Sequence, residues 1–212
     1  MHAAALHAPH VNVVADAEFR AVNVGVTAAL LREAEDGGVR RVIYISSTSV
    51  YGHALVPHDR AVWVDEHLEP RPRDIYDETK LAAEQLVAAS AVASITLRIA
   101  RCFPEPLPVL ATRLLHRAVA LDDVAAATVL AVEHDAVTGT FNIAGQYPFR
   151  RADCVALHRD AAGVIIERAP EVAAAFRSRG WPLPQRIDRV YDSDAARNAL
   201  GYQPVQGVLR LL

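Results

Sequence analysis

Arg41-Val-Ile-Tyr-Ile-Ser46 decides the fold of this chain. A short β-branched run with no polar alternation reads as a buried strand of a parallel sheet. Before it, Phe19, Val22, Val26 and Leu30 recur at three- and four-residue steps, which predicts a helix over 18–35 ended by Gly37 and Gly38. After it, residues 52–74 are rich in Pro, His and charge without a period, and read as a long loop. A helix is expected from Asp74 to Ser90 and a strand over Ile95–Ala100. Pro104, Pro106 and Pro108 break the pattern before a short helix over 109–118. Asp122 or Asp123 is expected to cap a helix that runs to Glu133, and Thr140–Ala144 reads as a strand closed by Gly145. Further on, the pattern predicts a helix over 150–162, a strand over Val164–Glu167, an irregular stretch over 169–190 and a helix over 193–200 ended by Gly201. Strands alternating with helices of this length predict an α/β fold, a parallel sheet covered on both faces. Ligands of such sheets sit at the carboxyl ends of the strands. The loops after Ser46 and Ala100 are therefore the places to look for chemistry.

The 212 residues are 52% hydrophobic and 22% charged, an ordinary globular balance that excludes disorder and a disulfide scaffold. A net charge of −3 implies no basic face for nucleic acid. No apolar run reaches the roughly 18 residues of a membrane span, and residues 1–20 do not read as a signal peptide. Cys102 and Cys154 are far apart, so a cytoplasmic chain with free thiols is expected. His7 with His10, and His53 with His58, lack a third ligand at metal-type spacing, so no metal site is expected. Neither a Gly-x-Ser-x-Gly elbow nor a Gly-x-x-x-x-Gly-Lys loop is present.

The 22 basic residues are 21 arginines and one lysine, Lys80, which stands four residues after Tyr76. On a helix, positions i and i+4 share a face, so the phenol and the ammonium can meet one substrate. A phenol is a poor base at neutral pH, and a neighbouring ammonium would lower its pKa. With six tyrosines and one lysine, chance places a tyrosine there roughly 3% of the time, which favours a functional pair over a surface coincidence. Ser46-Ser-Thr-Ser-Val-Tyr-Gly52 ends the strand with four hydroxyls that could polarise a substrate oxygen; alone they would read as turn caps.

Ser46–Gly52 followed by Tyr76-x-x-x-Lys80 resembles the extended short-chain dehydrogenases/reductases, the NAD-dependent epimerase/dehydratase family. Asn23-Val-Gly-Val-Thr27, Gly38–Ser46, Leu97-Arg98, Asp122-Asp-Val-Ala125, Phe141–Gly145 and Leu200–Pro204 resemble further landmarks in the same order. The resemblance implies an incomplete Rossmann-like domain over 1–145, interleaved with a small substrate-binding lobe formed mainly by 146–212. It implies Ser47, Tyr76 and Lys80 as catalytic residues. It places Ala4, Ala5, His7, Asn23, Ser46, Tyr76, Lys80 and Ala100 along NAD or NADP. It assigns Ser47, Arg101, Arg186 and Arg189 to a small-molecule substrate, a nucleotide sugar by resemblance, oxidised at a carbinol carbon. An NADP-linked carbonyl reductase and a non-catalytic binding or regulatory module are the alternatives. The family's opening Gly-x-x-Gly-x-x-Gly turn has no counterpart, because the glycines at 25, 37, 38 and 52 lack that spacing. Met1 is accordingly expected to be an internal position of a longer reading frame. The His2–Leu6 segment is then expected to be a sheet edge through which a homodimer could form.

Overall fold

The computed structural model describes residues 1–212. In chain order its helices are α1 (Asp16–Phe19), α2 (Val26–Asp36), α3 (Ile75–Ala89), α4 (Leu107–Arg113), α5 (Leu121–Glu133), α6 (Cys154–Arg159), α7 (Ala161–Arg168), α8 (Pro170–Ser178), α9 (Asp194–Leu200) and α10 (Val208–Leu211). The strands are β1 (Arg41–Ser47), β2 (Val62–Val64), β3 (Ala93–Ile99), β4 (Gly139–Ile143) and β5 (Arg189–Tyr191). Between α1 and α2 the backbone passes through a π-helical stretch, Arg20–Gly25, so the region 16–36 is one wound rod.

The main sheet is parallel in the order β1-β3-β4. Arg41 opposes Ala93 and Ser47 opposes Ile99; Ile95 opposes Gly139 and Ile99 opposes Ile143. Alternation along β1 divides its side chains. Val42 and Tyr44 pack with Leu31, Ala34, Ala83 and Val87 of α2 and α3. Ile43 enters the opposite core with Ala127, Ala131, Ala196 and Leu200 of α5 and α9. Both faces are therefore covered, as a buried parallel sheet requires. On the outer side of β1, the His2 N–H donates to the Ile43 carbonyl at 2.8 Å and His2 accepts from the Ile45 N–H at 3.0 Å.

A third core gathers Leu157, Ile165, Val172, Phe176 and Ile187 with Ala61, Leu115 and Val190, from both sides of residue 145. A second, two-stranded sheet pairs β2 with β5 in parallel. No helix is long and apolar enough to cross a membrane.

Four local expectations are corrected. The loop over 52–74 contains β2, whose hydrogen bonds come from residues 188–192, out of reach of any local pattern. Val164–Glu167 is helical. The Asp160 carboxylate caps α7 by accepting from the Gly163 N–H, and Val164 and Ile165 are buried while Ile166 is 49% exposed, the one-sided burial of a helix. The stretch 169–190 contains α8, with Pro170 at its first turn where the missing N–H costs nothing. Neither Asp122 nor Asp123 caps α5; the cap is Ala120, and the Asp123 carboxylate accepts from the Val205 and Gln206 N–H groups.

Candidate active site

The carboxyl ends of β1 and β3 open into a cleft of about 520 Å³. Its apolar floor includes Ile45, Ile99 and Ala100, and Ser46, Ser47 and Tyr76 supply hydroxyls. Ser47 stands at the last position of β1, where its oxygen accepts from the Ser49 N–H at 3.1 Å and turns the chain into Thr48–Leu55. Tyr76 is in the first turn of α3. Asp74 caps that helix by accepting from the Asp77 N–H, and Asp77 and Glu78 place negative charge at the positive end of its dipole. Burial raises the Tyr76 phenol above its usual range, and the Ser47 hydroxyl opposes the rise. Lys80 is not among the groups that move it, whereas a lowering by Lys80 was the expected cause.

Lys80 is 2% exposed. Its ammonium donates to the Ile45 carbonyl at 2.6 Å and lies 4.2 Å from the centre of the Tyr44 ring. Burial pushes it down to about 8, and Glu84 holds it up. Asn23 also turns inward. Its amide oxygen accepts from the Leu6 N–H, and its nitrogen donates to the Leu6 carbonyl and the Thr79 hydroxyl. The π-helical stretch thus clips residue 6 to α3 and holds His7 over the cleft, its ring 6.4 Å from that of Tyr76.

Arginines line the far wall. Arg73, Arg101, Arg113, Arg117 and Arg189 all face the cleft. Arg73 pairs with Asp77, Arg101 and Arg113 share Glu105, and Arg117 and Arg189 share Asp188. Five guanidiniums against three carboxylates leave two positive charges. The buried Nε of Arg117 has no hydrogen-bond partner. Such a wall fits an anion.

Of the residues expected at the site, His7, Ser46, Ser47, Tyr76, Ala100, Arg101 and Arg189 line one cleft. Ala4, Ala5, Asn23 and Lys80 do not line it. Arg186 is placed elsewhere, donating to the His158 carbonyl on an exposed surface. Arg73, Arg113 and Arg117 were missed, because among 21 arginines only the fold says which share a wall.

Flanked on both faces and carrying its cleft at the strand ends, this parallel sheet has the architecture of the short-chain dehydrogenases/reductases. A family model described as NAD dependent epimerase/dehydratase family matches residues 1–104, just under half of the chain. A curated relative, the bifunctional protein GAL10 of Pachysolen tannophilus, is 30% identical over 87 residues, 41% of this chain and 12% of that protein. Two solved structures resemble the whole fold. A short-chain dehydrogenase/reductase superfamily protein from Agrobacterium tumefaciens with bound NAD has 21% identity and a TM-score of 0.64, over 100% of this chain and 76% of that one. UDP-glucuronic acid 4-epimerase from Bacillus cereus, in complex with UDP-glucuronic acid and NAD, has 21% identity and a TM-score of 0.66, over 98% and 70%.

Proposed function

We propose that these residues form the nicotinamide-side and substrate-side parts of an NAD(P)-dependent epimerase/dehydratase-type oxidoreductase. Its substrate is an anionic sugar, a nucleotide sugar above all, oxidised and reduced at one carbinol carbon. The observation that carries the reading is that Ser47 and Tyr76 open onto the same cleft as five arginines. The hydroxyl pair suits proton transfer at a carbinol oxygen, and the arginines suit a diphosphate.

The residues fit the reactive end of a dinucleotide: an apolar floor of Ile45, Ile99 and Ala100 accepts a flat ring, with hydroxyls at its rim. When bound, the nicotinamide supplies the hydride acceptor and donor. Ser47 would donate to the substrate oxygen, and Tyr76, as its phenolate, would take the hydroxyl proton on oxidation and, as the phenol so formed, return it on reduction. The arginine wall orients the sugar by its phosphates, so the same carbon is presented each time.

The test is turnover of UDP-glucuronic acid or UDP-glucose at millimolar NAD, read as a new sugar isomer or as absorbance of reduced nicotinamide. Turnover that falls in Ser47→Ala supports the reading. Binding of the sugar nucleotide with no turnover at any NAD concentration would replace it with the non-catalytic binding module.

A further inference from the structure

The helix that carries Tyr76 presents three polar side chains at four-residue intervals, Tyr76, Lys80 and Glu84. Two of them grip consecutive residues of β1. Lys80 donates to the Ile45 carbonyl at 2.6 Å, and the Ser46 hydroxyl donates to Glu84 at 2.5 Å. The next residue is Ser47. Glu84 is itself fixed from the neighbouring strand: Arg98 Nη2 donates to it at 2.7 Å and Nε at 3.1 Å to both oxygens. Arg98 also donates to the Tyr51 hydroxyl, which donates to Asn142 of β4. Glu84 and Arg98 are both buried, at 6% and 7% exposed.

We propose that Glu84 is a positioning residue of the site: clamped by Arg98, it fixes the strand end before Ser47 and acts as the internal counter-ion that keeps Lys80 a cation. The buried charges account for themselves. Lys80 makes no salt bridge, and its seen partners are a carbonyl oxygen and a ring face. An ammonium with only such partners would lose its proton on burial. The groups around it are Tyr44 from β1, Glu84 from α3, with the Arg98 guanidinium of β3 behind that carboxylate, and His2 and His7 from the first segment. Burial and Lys80 itself hold both histidines below their usual value, so neither offers a charge that helps. Burial raises the Tyr44 phenol, so it also stays neutral. Glu84 is the remaining source of negative charge, and Arg98 prevents it from swinging away.

Because Lys80 is the sole lysine, a chain labelled with 13C at the lysine Cε carbon gives one resonance, whose pH titration reads this ammonium directly. The wild-type midpoint is expected near 8. In Glu84→Gln it should fall by about one pH unit or more. Where the single variant does not fold, the wild-type midpoint decides the matter. Ser46→Ala, which keeps the carboxylate, should leave the midpoint in place. A wild-type midpoint above about 10, or an unchanged midpoint when Glu84 is neutralised, overturns the proposal. The readout needs neither cofactor nor turnover, so it separates failure of this inference from failure of the proposed oxidoreduction, on which its catalytic meaning rests.

Discussion

Tyr76 and Lys80 share a helix face but face different surroundings. The phenol meets the Ser47 hydroxyl at the cleft, and the ammonium turns beneath the sheet to Ile45 and Tyr44. Loss of the phenol removes the proposed proton carrier while leaving the ring's packing. Tyr76→Phe should lower turnover by about two to four orders of magnitude, the usual scale for a general acid/base, in steady-state rates. Lys80 gives a second expectation, this one about stability. Its folded value of about 8 lies below the ordinary 10.5. The unfolded chain therefore binds more protons between these values, and wild-type stability rises with pH across that window. Below 8 the folded state carries the whole cost. Lys80→Met should then be more stable than wild type at pH 7 by up to about 3 kcal/mol, at 1.36 kcal/mol per pH unit. The excess should shrink as pH rises from 8 through 10.5. Urea denaturation at several pH values measures it; a constant difference would refute the assignment.

At the scale of elements, β1, β3, β4 and α3 were legible because their signal is local and repeated. Each matches its expected span to within a few residues. The misread stretches depend on distant chain. Val62–Val64 is a strand only because Arg189–Tyr191 lies beside it, and Val164–Glu167 has the β-branched composition of a strand while its burial follows a helix. The same limit applies to the site. The spacing of Tyr76 and Lys80 was legible, whereas the partners of Lys80 and Asn23 were not, since side-chain direction is settled by packing. Two substitutions probe these elements. Asp160→Ala removes the cap of α7 and should cost about 1 kcal/mol in a denaturant midpoint series. Gly52 has φ 47° and ψ −116°, and a Cβ there would run into the Arg71 carbonyl, the acceptor of the His53 N–H. Gly52→Ala should destabilise by roughly 3 kcal/mol or more, combining backbone strain with a clash against backbone that cannot yield.

Over the whole molecule, the cleft-lining residues include ones from the main sheet and from the two-stranded sheet, where Arg189 and Tyr191 belong to β5. The sheet contributes hydroxyls and an apolar floor; Arg73, Arg101, Arg113, Arg117 and Arg189 contribute charge. This division sets which ligand the 212 residues hold well. A dinucleotide normally gains its pyrophosphate hydrogen bonds from N–H groups of a glycine turn at a helix N-terminus. The glycines at 25, 37, 38 and 52 do not make that turn, so on the proposed reading these residues would meet NAD chiefly at its nicotinamide end. On the same reading a sugar nucleotide would present its diphosphate to a wall with two uncompensated guanidinium charges. Calorimetry on these residues should give NAD a Kd of about 1 mM or weaker, and UDP-glucuronic acid a Kd at least about tenfold tighter. The second affinity should fall as ionic strength rises, because the attracting charges border an open cleft. Arg113→Gln/Arg117→Gln should weaken the sugar nucleotide and leave NAD nearly unchanged. Micromolar NAD binding, or equal loss of both ligands in the arginine variant, would show that the phosphates of the dinucleotide use this wall too, and the division of the cleft would have to be redrawn.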